Sequence, residues 1–226
     1  MSRAAERVPA VTGADFEAEK RVAATTAAAL VENGMVVGLG TGSTVAELVP
    51  VLAARRLDIT CAATSPATEE QALGLGLVVI PFTDVDRLDV AIDGADQVDP
   101  AGWLVKGGGG AHTRERIVAA AADRFVVIVS SDKPVARIHA PVPLELLAFG
   151  LAATLRELSD VVLRDAPLTP DGGVLADYHG AVGDPAALAA RLDAAPGVVA
   201  HGLFPPSLVS TVLIARGDEV EMRQID

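Results

Sequence analysis

One cysteine, Cys61, stands in a chain of 226 residues, so an intramolecular disulfide framework is excluded and a reducing compartment is the natural setting. Aromatic side chains make up only 3%, which leaves the core to Ala, Val and Leu. The four histidines, His112, His139, His179 and His201, nowhere pair at metal-ligand spacing, and no metal is expected. No apolar run approaches the roughly 18 residues of a membrane span, and the opening MSRAAERVPAVTGAD lacks an apolar signal core. A soluble, cytoplasmic protein with no membrane partner is expected. Basic groups are short as well: 18 Lys and Arg against 30 Asp and Glu give a formal charge of -12, which argues against a nucleic-acid partner. Lysine is the scarcest cation, present only as Lys20, Lys106 and Lys133. Where Arg is the default, the positions that keep a compact, titratable ammonium mark themselves out.

What is present is an alternation. Half of the residues are hydrophobic and 21% are charged, an ordinary globular balance. Asp15 is placed to cap a helix running to about Glu32, with Asn33-Gly34 as its stop. The runs MVVGLG, DITCAAT, LVVI, LDVAID and FVVIVS are short, apolar and β-branched, as buried parallel strands are. Helical stretches at about Thr44–Arg56, PATEEQALGLG and about Thr113–Asp123 lie among them, a pattern that predicts an α/β fold with a Rossmann-like, mostly parallel sheet. The pattern changes between Pro134 and Pro143, and a domain boundary is expected near residue 139. Beyond it come VPLEL, a helix over about Ala148–Leu158, VVLRD, VLADYH, a helix from Asp184-Pro185, and VVAHGLF. That order, βαββαβ, predicts a smaller α+β, ferredoxin-like domain over 139–206. The main domain would comprise 1–138 and 207–226, because the last run holds two strand-like pieces able to return to it.

Four loops carry chemistry, all at the carboxyl edge of the expected sheet, where open α/β sheets place ligands. The first, Gly38-Leu39-Gly40-Thr41-Gly42-Ser43-Thr44, offers bare N–H groups, hydroxyls and a helix N-terminus; it reads either as a phosphate cradle or as a tight strand-to-helix turn. It is neither a Walker A loop nor a full dinucleotide fingerprint. The second, Asp93-Gly94-Ala95-Asp96-Gln97-Val98-Asp99, lacks the ligand spacing of a calcium loop. A solvated acidic turn and a site handling protons or sugar hydroxyls both fit it. The third runs from Lys106 through Gly107, Gly108, Gly109 and Gly110 to Glu115. Four glycines are costly in chain entropy and leave room for a ligand against bare backbone. Glu115, in a first helical turn, is either a carboxylate complementing the helix dipole or a general base. His112 beside the glycines is read as a surface residue, with an acid/base role as the alternative. The fourth is Ser130-Ser131-Asp132-Lys133.

Taken in order and at their separations, GLGTGST, TSPATEEQALGLGL, DVAIDGADQVD, LVKGGGGAHTRERI, SSDKPV and PGVVAHGLF closely resemble the A-type ribose-5-phosphate isomerases, over essentially the whole chain from about Lys20. The resemblance implies a homodimer or homotetramer without metal or nucleotide cofactor. It further implies interconversion of ribose 5-phosphate and ribulose 5-phosphate through an enediolate, in the non-oxidative pentose phosphate pathway. Carried over by motif, the phosphate-side loop falls on Thr41, Gly42, Ser43 and Thr44, and the Asp-Gly-Ala-Asp block on Asp93, Gly94, Ala95 and Asp96. The Lys-Gly-Gly-Gly block falls on Lys106, Gly107, Gly108 and Gly109, the catalytic glutamate on Glu115, and a substrate lysine on Lys133, with Lys20 a further phosphate contact. Glu115 would then shuttle the proton and Lys106 would steady the oxyanion, while Asp93 and Asp96 bind sugar hydroxyls. Local departures from the pattern are Gln97, His112, Ser130-Ser131-Asp132 and Asp171-Gly172-Gly173. A non-catalytic sugar-phosphate sensor would normally carry an output module, for which the short segment before Lys20 leaves no room. An amino-sugar phosphate isomerase shares the first loop but not the Asp93–Asp96 and Lys106–Glu115 blocks.

Overall fold

The computed structural model describes residues 13–225; the segment 1–12, which holds most of the opening read for a signal core, lies outside the described residues. A helix, α1 (Gly13–Ala28), leads into β1 (Val36–Leu39), and the alternation continues through α2 (Ser43–Ala54), β2 (Thr60–Ala63), α3 (Pro66–Gly74), β3 (Val78–Val79) and β4 (Val90–Asp93). Two short strands follow, β5 (Gln97–Val98) and β6 (Leu104–Val105), then α4 (His112–Ala120) and β7 (Phe125–Ser130). Next come β8 (Val142–Leu146), α5 (Leu151–Leu158), β9 (Val161–Leu163), β10 (Val174–Tyr178), α6 (Pro185–Asp193) and β11 (Val198–His201). The described chain closes with β12 (Leu203–Phe204), β13 (Thr211–Arg216) and β14 (Glu219–Gln224).

The main sheet has the order β14-β13-β7-β4-β1-β2-β3, parallel throughout except for the antiparallel edge strand β14. Such strands are buried on both faces, which is why they read as unbroken apolar runs. One face packs on the alanine-rich side of α1 and on α2 through Ala23, Ala24, Ala27, Val45, Leu48 and Leu52. The other packs on Val118 and Ala119 of α4 and on Phe204. Small residues on α1 let it approach the sheet closely without aromatic filler. The expected α/β class thus holds, with a mostly parallel central sheet beside antiparallel ones.

A second sheet has the order β11-β8-β10-β9 and is antiparallel throughout, the strand order of a split βαβ unit. Val142, Leu144 and Leu146 alternate onto a core shared with α5 and α6, so Pro143 and Glu145 face the opposite way. The side chain of Asp184 caps α6 by accepting from Ala186 N at 3.1 Å, as the Asp-Pro pair suggests.

Several expectations need correction. The first helix begins at Gly13, with Asp15 inside its first turn, and ends at Ala28. The expected strand LVVI shortens to Val78–Val79. The run VVAHGLF is two strands, because the chain leaves the second sheet at Gly202 and pairs β12 with β6 in a three-stranded ribbon, β12-β6-β5. Gly202 makes this crossing possible: Lys106 N donates to its carbonyl at 2.9 Å, its own N donates to Pro143 O at 2.7 Å, and a Cβ there would lie 2.1 Å from Lys106 O. A Gly202→Ala substitution therefore forces the strand carrying Lys106 to move. It is expected to cost about 1–3 kcal/mol, read as a lower Tm in thermal denaturation, whereas an unchanged Tm would show that the crossing tolerates a methyl group.

Candidate active site

Three parallel strands deliver their loops side by side. Beyond β1, Gly40 donates to Ile92 O at 3.0 Å, and Thr68 Oγ1 donates to Gly40 O at 2.9 Å. A Cβ on Gly40 would sit 1.9 Å from the carboxyl carbon of Asp93. The missing side chain lets Asp93, at the end of β4, reach across to the first loop. Its Oδ1 accepts from Thr41 N at 3.1 Å and from Gly94 N at 2.7 Å. Thr41 is tied in turn to Thr64 by a hydroxyl contact of 2.7 Å, and Ser43 and Thr44 open α2.

Lys106, at the end of β6, is wholly buried. Its Nζ lies 2.9 Å from Asp93 Oδ2 and 3.3 Å from Glu115 Oε2, and donates to Gly94 O at 2.5 Å. The Phe204 ring closes this pocket from behind, 5.7 Å from Lys106 Nζ and 5.1 Å from Arg116 Cζ, a placement in which the ring face attracts both cations. Glu115 stands in the first turn of α4, buried to 4% exposure.

One ammonium cannot fully compensate two carboxylates away from water. Burial, then the charge of Asp93, push the Glu115 carboxyl up to about 8 against the pull of Lys106. Burial also raises Asp93, opposed by Lys106 and by the Gly94 and Thr41 N–H groups. Lys106 is held above its ordinary value: burial acts to lower it, but the charges of Asp93 and Glu115 prevail. Asp93 is the better supplied with donors, which favours its charged form.

Lys106 and Glu115 border a cavity of about 110 Å³ that also brings together Lys20, Thr41, Gly42, Ser43, Thr44, Gly94, Ala95, Asp96, Gly107, Gly108, Gly109 and Lys133. Every expected site residue lines it except Asp93, which stands behind Lys106 with both oxygens engaged. Asp96 is exposed and accepts from Gly108 N at 2.8 Å. Asp99, third in the acidic block, accepts from Ala101 N and Trp103 N, each at 2.9 Å, and closes its own turn. Gln97 is structural too, pairing with the backbone of His139 at 2.8 and 3.0 Å. His112 is not a surface residue: it is fully buried, because Gly107 has no side chain and a Cβ there would lie 2.6 Å from its Nδ1. Burial, then the Arg164 charge, drive it down to about 3, so it stays neutral and lies outside the cavity lining.

Glu19 was not expected at the site. Buried on α1 beside Lys20, it accepts from Ser131 N at 2.7 Å, Ser131 Oγ at 3.0 Å and Gly217 N at 2.9 Å. It pins the loop that carries Lys133, whose Nζ contacts Asp132 Oδ2 at 3.0 Å. Its neighbours Glu17 and Lys20 pair with each other at 2.5 Å.

The family model for ribose 5-phosphate isomerase A (phosphoriboisomerase A) matches residues 60–219. The chain belongs to the ribose 5-phosphate isomerase A family. It is 42% identical to ribose-5-phosphate isomerase A of Gluconobacter oxydans, over 93% of this chain and 98% of that protein. The crystal structure of ribose 5 phosphate isomerase A from Neisseria gonorrhoeae superposes with a TM-score of 0.89 at 29% identity, covering 93% of this chain and 98% of the other. A D-ribose-5-phosphate isomerase in complex with phospho-erythronic acid is similar at 31% identity and a TM-score of 0.87, covering 92% of this chain and 99% of that one.

A carboxyl raised from 4.5 to about 8 keeps its proton longer in the folded state than in the unfolded one. Over that window folding stability therefore falls as pH rises. Glu115→Gln has no charge to bury, so its stability relative to the parent should climb from about pH 5 to about pH 9, by at most about 1.4 kcal/mol per pH unit. Denaturant titrations at the two ends test this; a pH-independent difference would mean that Glu115 titrates normally.

Proposed function

We propose that this protein interconverts ribose 5-phosphate and ribulose 5-phosphate, with Glu115 as the proton shuttle. The observation that carries the reading is a buried lysine between two carboxylates, one of which opens onto a cavity ringed by hydroxyls, glycine N–H groups and two further lysines. Family membership supports the same reaction. Aldose–ketose isomerisation moves one proton from C2 to C1 and another from the C2 oxygen to the C1 oxygen. It needs a base of near-neutral affinity and a donor for the developing oxyanion.

Thr41, Gly42, Ser43 and Thr44 at the start of α2, with Lys20 and Lys133, would hold the phosphate. That remote binding energy positions the reacting carbons. In its ionised form Glu115 takes the C2 proton. Lys106, whose charge Asp93 preserves, and the N–H groups of Gly107–Gly109 stabilise the enediolate oxygen, Asp96 relays the proton of the C2 hydroxyl to the C1 oxygen, and Glu115 returns the carbon proton to C1. Asp96, which lines the cavity, is the better placed acid group for sugar hydroxyls, so we assign Asp93 to holding Lys106. The phospho-erythronic acid bound by the similar isomerase carries a phosphate, as the proposed substrate does, which supports a sugar-phosphate ligand. A sensor would have no use for a buried carboxyl poised near neutrality. We further propose the pentose phosphate pathway, a cytoplasmic location, a homodimeric or homotetrameric state, and a small domain spanning 139–206.

A coupled assay following ribulose 5-phosphate formed from ribose 5-phosphate should show turnover that a chelator leaves intact, because Lys106 supplies the positive charge. In the same assay Glu115→Gln should lower kcat by roughly 10²–10⁴. Near-parental turnover in that variant, or no turnover in the parent, overturns the reading.

A further inference from the structure

We propose that Arg164, held by Asp177, is a positioning residue for the glycine loop and thereby for the reaction. This rests on the reading of the Gly107–Gly109 N–H groups as donors to substrate oxygen. Arg164 follows β9 and Asp177 lies on β10, both in the second sheet. The two side chains form a two-pronged pair, Nε to Oδ2 at 2.8 Å and Nη2 to Oδ1 at 2.7 Å. That pairing aims the remaining nitrogen, Nη1, at the loop, where it donates to Gly107 O at 2.8 Å and to Gly108 O at 3.3 Å. Gly107 O also accepts from Gly110 N at 3.0 Å. The same face of the sheet presses Leu175 onto Gly110, where a Cβ would meet its Cδ1 at 2.6 Å.

The consequence lies on the other side of the peptide groups. In a trans peptide the C=O and the following N–H point in opposite directions, so carbonyls turned toward Arg164 turn the N–H groups of Gly108 and Gly109 away from it. Gly108 N–H meets Asp96 at 2.8 Å, and both glycines line the cavity. A guanidinium on the carbonyl oxygen also polarises the peptide and strengthens its N–H as a donor. Four consecutive glycines have little intrinsic preference for one conformation, so the orientation of these donors must be imposed from outside. Arg164 imposes it without touching the cavity, and its planar fork is not reproduced by lysine.

Arg164→Ala and Arg164→Lys test the proposal. Displaced donors should lower kcat of the Ala variant about 10- to 100-fold, with KM changed less than about 3-fold, and Lys should fall between. Free guanidinium ion at non-denaturing concentration should restore part of kcat to the Ala variant and leave the parent unaffected, since Arg164 and Asp177 sit at a partly exposed position. In the free protein, NMR hydrogen exchange of the Gly107–Gly110 amides should be faster in the Ala variant and slow again with guanidinium. Unchanged kcat, or a loss that guanidinium does not touch, overturns the proposal. A parent inactive on ribose 5-phosphate refutes the functional reading instead, and the amide measurement then decides alone: unchanged exchange overturns the role of Arg164 in ordering the loop.

Discussion

The site depends on one buried ammonium. Lys106 Nζ contacts Asp93, Glu115 and the Gly94 carbonyl from a position shielded from water by Phe204. A desolvated charge is expensive unless its partners are fixed, so each partner is anchored by a different part of the fold: Asp93 by β4 and the N–H groups of Thr41 and Gly94, Glu115 by the first turn of α4, and Lys106 itself by β6. Two carboxylates and one cation leave a surplus negative charge, and together with burial it raises both carboxyls, Glu115 to about 8. The arrangement that limits stability is thus the same one from which the proposed proton shuttle is drawn.

Three glycines set this geometry by what they lack. Gly40 makes room for the Asp93 carboxylate, Gly107 for the His112 ring, and Gly202 for the backbone of Lys106. Each allows an approach that any Cβ would block, and each lies where a sheet hands the chain to a loop or to another sheet. The second sheet acts as a lid on the glycine loop: Pro143, Leu175 and Arg164 all contact it from one face. The flexible stretch of Gly107–Gly110 is therefore bounded by rigid elements, which is how entropy-rich residues serve an ordered site.

Much of this was legible in sequence. Short, apolar, β-branched runs located β1, β4 and β7, and their alternation with helical stretches put their loops on one edge. The rarity of lysine pointed at Lys20, Lys106 and Lys133, and all three line the cavity. The ribbon of β5, β6 and β12 was not legible, because two-residue strands carry no periodicity and their register rests on Gly202. The separation of Asp93 from Asp96 was hidden as well: both precede or follow a Gly-Ala pair in a symmetric motif, and only Gly40, 53 positions away, decides which one turns inward. His112 misled because burial depends on a neighbour's missing side chain. Glu19 and Arg164 carried no signal in sequence, since the backbone groups they hold, Ser131 N and Gly107 O, lie more than 50 residues away.

The most direct test of the account is a measurement on Glu115 itself. Carboxyl ¹³C chemical shifts of glutamate-labelled protein, followed through a pH titration and assigned by comparison with Glu115→Gln, report when this side chain loses its proton. The account predicts a midpoint near 8 in the free protein, far above the ordinary glutamate range. A midpoint near 4.5 would contradict it, because Glu115 would then be a plain counterion of Lys106 and the shuttle would have to be sought elsewhere.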